Sequence, residues 1–131
     1  MNVMAAYEQG ENVLSQVFTR FDASKSLRTV DFESGFHFCS KGGAYTGLTA
    51  INLNEFAEKL ESIDIDSVEF HYPRGDFQSW ISKTLEDKEL GNRLCFIDRN
   101  LQGENLRREI SRLINERISE LVSMINNEEK K

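Results

Sequence analysis

The stretch FHYPRGDFQSWI, residues 70–81, gathers His71, Arg74, Asp76 and the chain's one tryptophan, Trp80. These residue types at this spacing admit two chemistries. A histidine that titrates near neutral pH, set beside an arginine and a carboxylate at a break between two helices, makes an anion or proton-transfer site. The positive end of the second helix then helps Arg74 hold the anion. The same residues also make a structural corner. Pro73 and Gly75 turn the chain, Asp76 caps the helix that follows, His71 or Arg74 bonds back to that carboxylate, and Trp80 anchors in the core. His71, Arg74, Asp76 and Trp80 are therefore the candidate ligand-binding residues, and no catalytic set is assigned.

The sequence holds two histidines and two cysteines, so a four-ligand zinc site would have to use His37, Cys39, His71 and Cys95. Structural zinc sites pair their ligands a few residues apart, and here only His37 and Cys39 are close. The simpler reading is a half-buried cysteine beside a surface histidine, with no metal and no cofactor. SKGGAYTG resembles a phosphate loop only in its glycines, because Lys41 precedes Gly42 and Gly43 whereas a Walker A loop ends in Gly-Lys-Ser/Thr before a helix. No G-x-S-x-G or H-E-x-x-H stretch occurs, which removes the common hydrolase signatures.

The elements that must position these residues follow from periodicity. Val13, Leu14, Val17, Phe18 and Phe21 predict an amphipathic helix over about Met4 to Phe21. A Gly-Gly turn between β-branched and aromatic residues predicts a hairpin, Gly35 to Ser40 and Tyr45 to Ile51. It would place Phe36 and Phe38 on one face and His37 and Cys39 on the other. Leu27 to Phe32 is a candidate third strand. Asn52 and Glu55 form a capping box ahead of Phe56, Ala57, Leu60 and Ile63. Asp66 and Glu69 repeat it before a short helix, although Val68, Phe70 and Tyr72 also alternate like a strand. Asp76 caps a helix carrying Phe77, Trp80, Ile81 and Leu85, and Asp87 caps one carrying Leu90, Leu94 and Ile97. From Leu101 to about Ile125 one long helix presents Leu106, Ile110, Leu113, Ile114, Ile118, Leu121, Val122 and Ile125. Glu104 with Arg108, and Arg112 with Glu116, are its expected surface pairs. At roughly 37 Å this helix outruns what a small domain covers, so part of its stripe is expected to meet another chain.

The pattern His71, then Asp76-Phe77-x-x-Trp80-Ile81, then Asp87-x-x-Leu90 resembles a small prokaryotic domain family of unknown function. The likeness runs from His71 to about Leu94, with the hairpin and the NLNEFAEKL helix similar in outline. Glu86 stands where that family's pattern has glycine, and Gly91 where alanine is usual. The resemblance implies one domain and a cytoplasmic setting, and it supplies no mechanism.

At 131 residues, with no linker and no repeat, the chain reads as a single α+β domain, mainly helical. A hairpin packs on several helices (about 52–97) and is followed by the long C-terminal helix (about 101–125). A net charge of −6 disfavours nucleic acid and anionic lipid surfaces. Neither a signal peptide nor a membrane span is expected, and two isolated thiols fit a reducing compartment. These readings point to a non-enzymatic interaction or regulatory module that binds a protein partner or itself through the C-terminal helix. The alternative is a small anionic-ligand domain, or a weak enzyme, built on His71, Arg74 and Asp76.

Overall fold

The computed structural model describes residues 18–129. Most of the helix expected over Met4 to Phe21 lies outside them. Within them helix α1 spans Arg20–Leu27, so DASKS is helical rather than a connection. The cause is a capping box: Thr19 Oγ1 accepts from the Phe21 amide, and the Asp22 carboxylate accepts from the Thr19 amide. The candidate third strand at Leu27 to Phe32 does not form. This stretch makes one sheet-like bond, Val30 N–H to the Ile51 carbonyl at 2.8 Å, and then closes into a 3₁₀ turn, Phe32–Ser34, capped by Asp31.

The hairpin forms as expected. Strands β1 (Phe36–Cys39) and β2 (Tyr45–Ala50) run antiparallel, pairing Phe36 with Ala50 and His37 with Thr49. The register shifts before Cys39 meets Tyr45; β2 absorbs the slip near Gly47, whose φ is +91°. Phe36 and Phe38 are buried, and His37 and Cys39 are half-buried on the other face.

Helix α2 (Leu53–Ser62) starts on Asn52, whose side chain accepts from the Glu55 amide at 2.8 Å. The Glu55 carboxylate returns to the Ile51 amide, one residue earlier than a regular capping box. In α3 (Ile65–Arg74) the cap is Asp64, not Asp66, and the segment is helical throughout. Pro73 does not break it. It sits in the last turn, where a proline forfeits only its own bond back into the helix, and the stop comes from Gly75 at φ +76°. Helix α4 (Asp76–Ser79) runs into a π-helical turn, Trp80–Thr84, and α5 (Lys88–Cys95) follows under its Asp87 cap. Helix α6 spans Gly103–Glu129.

Phe36, Phe38, Phe56, Phe77 and Trp80 form the aromatic centre, with Phe56 stacked on the indole at 5.6 Å. Helix α6 closes it by laying Leu106, Ile110, Leu113, Ile114 and Leu121 against α1, α2, α3 and α5. Its expected stripe is thus covered within the chain as far as Leu121, with Ile118 half-buried. Beyond that Met124 and Ile125 are half-buried, while Val122 is exposed. Arg112 pairs with Glu116 as expected, but Glu104 turns to Arg107, three residues on, rather than Arg108.

Gly91 and Glu86 both have structural consequences. Gly91 lets the π turn approach α5, because a β-carbon there would overlap Ser82 Oγ. Glu86 holds φ +61°, the one left-handed non-glycine among the described residues. A side chain in that conformation costs about 1–2 kcal/mol. Its exposed contact with Lys25 at 3.1 Å returns only tenths. Glu86→Gly is expected to raise stability by up to about 1 kcal/mol, part of the relief being lost to glycine's greater freedom in the unfolded chain. A urea titration reads this directly, and a lowered midpoint would refute it.

Candidate functional site

Gly75 is the pivot of the corner. With φ in the left-handed region it ends α3 and starts α4, and this folds Asp76 back over the last turn of α3. One carboxylate oxygen, Asp76 Oδ2, accepts from both His71 Nδ1 and Arg74 Nε, each at 2.9 Å. Asp76 was expected to cap α4. Instead it is the helix's first residue and makes no side-chain cap, because its oxygens are turned toward His71 and Arg74.

His71 is 4% exposed and ringed by Phe36, Phe70 and Phe77. Its Nε2 accepts the Cys39 backbone N–H at 2.8 Å. A backbone amide can only donate, so Nε2 must carry a lone pair and the proton sits on Nδ1, donated to Asp76. Burial pushes the His71 pKa down; the hydrogen bond and charge of Asp76 pull the other way and lose. Burial opposes ionisation of Asp76 too, but the bonds from His71 and Arg74 outweigh it and hold the carboxyl below its usual range.

The structure therefore brings His71, Arg74 and Asp76 together and sets Trp80 apart. The indole is buried, and its Nε1–H donates to the Ser34 carbonyl at 2.8 Å, which ties the π turn to the 3₁₀ turn. Arg74 remains 59% exposed on its side chain, with its guanidinium 4.6 Å over the Phe70 ring. The four residues considered for zinc do not converge. His37 bonds Thr49 Oγ1 at 2.8 Å, Cys95 is exposed, and no group of three or more metal-ligating side chains occurs among the described residues.

A second polar centre escaped the sequence reading. Asp87, recognised as a cap, is completely buried and forms a two-pronged ion pair with Arg117 of α6 at 2.9 and 3.0 Å. Arg117 also meets Glu120, and Glu120 takes a two-pronged contact from Arg93 at 2.8 and 2.9 Å. Burial disfavours the charge on Arg117, but the Asp87 and Glu120 carboxylates together more than compensate and raise its pKa. The signal was available: Arg117 stands three residues after Ile114 and four before Leu121, inside the buried stripe.

Residues 72–131 match the model of a family of unknown function, DUF5752. The matched stretch holds Arg74, Asp76, Trp80 and the whole Asp87–Arg117–Glu120–Arg93 network, and it begins one residue after His71. No curated protein and no solved structure matches the chain.

These contacts set the stability of variants. Trp80→Ala is expected to cost about 3–5 kcal/mol through its cavity. Asp76→Ala should cost about 1–3 kcal/mol, because it strands the buried Nδ1–H of His71. Arg74→Ala should stay within about 1 kcal/mol. Urea denaturation of the three variants checks this ranking; Asp76→Ala and Trp80→Ala unfolding with the parent would mean that the corner is not structural.

Proposed function

We propose that the chain is a non-enzymatic interaction module that associates with a second copy of itself through the start of the C-terminal helix. The observation that carries this reading is Phe96. The ring is 86% exposed, the most exposed large apolar side chain among the described residues. Two residues on begins a segment that lines a groove of about 320 Å³, formed by Tyr72, Pro73, Leu101 and Leu106 together with the polar Glu69, Asp98, Arg99 and Gln102. An exposed phenyl two residues before a segment that lines a partly apolar groove suits a two-fold contact in which each copy fills the other's groove. Neither Asp98 nor Arg99 has an ion pair with another described residue, and across a two-fold axis they can pair reciprocally.

A ligand reading of His71, Arg74, Asp76 and Trp80 has less support. Both ring nitrogens of His71, Oδ2 of Asp76 and the indole N–H of Trp80 are already engaged, which leaves the outer guanidinium nitrogens of Arg74 and Oδ1 of Asp76 for a ligand.

Sedimentation equilibrium of the wild-type chain and Phe96→Asp tests the proposal. The expected result is a dimer that the substitution converts to monomer without changing the far-UV spectrum. A wild-type monomer at all concentrations would overturn it, as would a dimer indifferent to Phe96→Asp.

A further inference from the structure

We propose that His71 is a proton-operated latch, which fastens the hairpin to the α3–α4 corner and releases it on acidification. The geometry makes the imidazole a two-sided connector that works in one protonation state. Toward β1 it must accept, since the Cys39 amide offers only a hydrogen at 2.8 Å. Toward α4 it must donate, since Asp76 Oδ2 offers a lone pair at 2.9 Å. Only the neutral Nδ1–H tautomer does both. Adding a proton at Nε2 sets one N–H against another and costs the Cys39 amide its partner. The Asp76 contact survives as an ion pair, so the side of the connector that fails is the one holding the hairpin.

The groups around the ring define the pH range. Asp76 from α4 favours the imidazolium, and Arg74 on α3 opposes it. Cys39 on β1 presents its amide, its thiol being directed to the His37 carbonyl at 3.7 Å. The remaining neighbours are the phenyl rings of Phe36, Phe38, Phe70 and Phe77. Burial outweighs Asp76, and the closed-state pKa lies below the ordinary imidazole value of about 6.5. A group whose closed-state pKa is depressed contributes its full stabilisation above the open-state value. That contribution is lost progressively as pH falls from about 6.5 through the lower closed-state pKa. Asp76, held below the usual carboxylate range, stays ionised across this window.

Hydrogen exchange at the Cys39 amide, corrected for intrinsic rates, is the test. Between pH 7.5 and 5 its protection should fall, by at most about thirtyfold, as the open-state imidazole takes a proton. Protection at Ile110 and Ile114 in α6 should hold. In His71→Gln the side-chain amide can still accept from Cys39 and donate to Asp76 but cannot titrate, so Cys39 protection should become independent of pH over that range. Unchanged wild-type protection at pH 5 would overturn the latch, as would an equal loss in His71→Gln. Should that variant fail to fold, the ring ¹⁵N shifts of the wild-type protein decide: imidazolium at His71 with Cys39 still protected would contradict the proposal.

Discussion

The carboxylate of Asp87 has no exposed surface, and both of its oxygens are taken by Arg117 of α6 while one also caps α5. A buried carboxylate left alone would cost several kcal/mol, so α5 cannot start where it does unless α6 delivers a guanidinium to that point. The constraint runs in both directions. Arg117 occupies a place in the apolar stripe of α6 that a leucine could fill, and its charge is acceptable there only over Asp87. The register of the longest helix against the π turn and α5 is thereby set by one pair. Glu120 and Arg93 extend it to the outer face of α5. Such a pair adds little net stability compared with a hydrophobic replacement. Its value lies in excluding other registers.

Four further side chains follow a common logic, in which a donor from one element satisfies the carbonyls stranded at the end of another. Arg107 of α6 donates to the Leu60 and Ile63 carbonyls at the end of α2. Tyr72 of α3 donates to Leu94 near the end of α5, Arg28 to Thr84 at the end of the π turn, and Trp80 to Ser34 at the end of the 3₁₀ turn. Helix ends carry carbonyls without intrahelical partners, and where they meet the core they need such donors. The His71 bond to Cys39 extends this logic to a strand edge, with an acceptor supplied to an unpaired amide. Polar side chains that look like a site in the sequence thus act as the fastenings of short helices.

What the sequence made legible is what depends on local pattern. The hairpin, the Asn52 and Asp87 caps, and the burial of Phe77, Trp80, Ile81 and Leu85 follow from alternation, turn glycines and helical spacing, and they stand. Errors arose where neighbours in one short stretch competed for the same group or the same helix end. Asp76 has the composition of a cap, but His71 and Arg74 reach its carboxylate first. Pro73 ends helices as a rule, but in a last turn it removes only one bond. Asp64 and Asp66 compete for one helix start, and spacing alone does not choose between them. Glu86 takes a left-handed angle that periodicity and composition do not announce. Arg117 was hidden because a charge in a stripe reads as an interruption until its buried partner is seen.

A double-mutant cycle on Asp87 and Arg117, followed by urea denaturation, measures the controlling constraint directly. Asp87→Ala and Arg117→Ala should each cost about 3–5 kcal/mol, since the second leaves a buried carboxylate without a counter-charge and the first leaves Arg117 with only the half-exposed Glu120. The double variant should cost less than the sum of the two by at least about 2 kcal/mol, because the stranded charge is then absent. Strictly additive losses, or single losses below about 1 kcal/mol, would contradict the view that this pair sets how α6 sits on the rest of the chain.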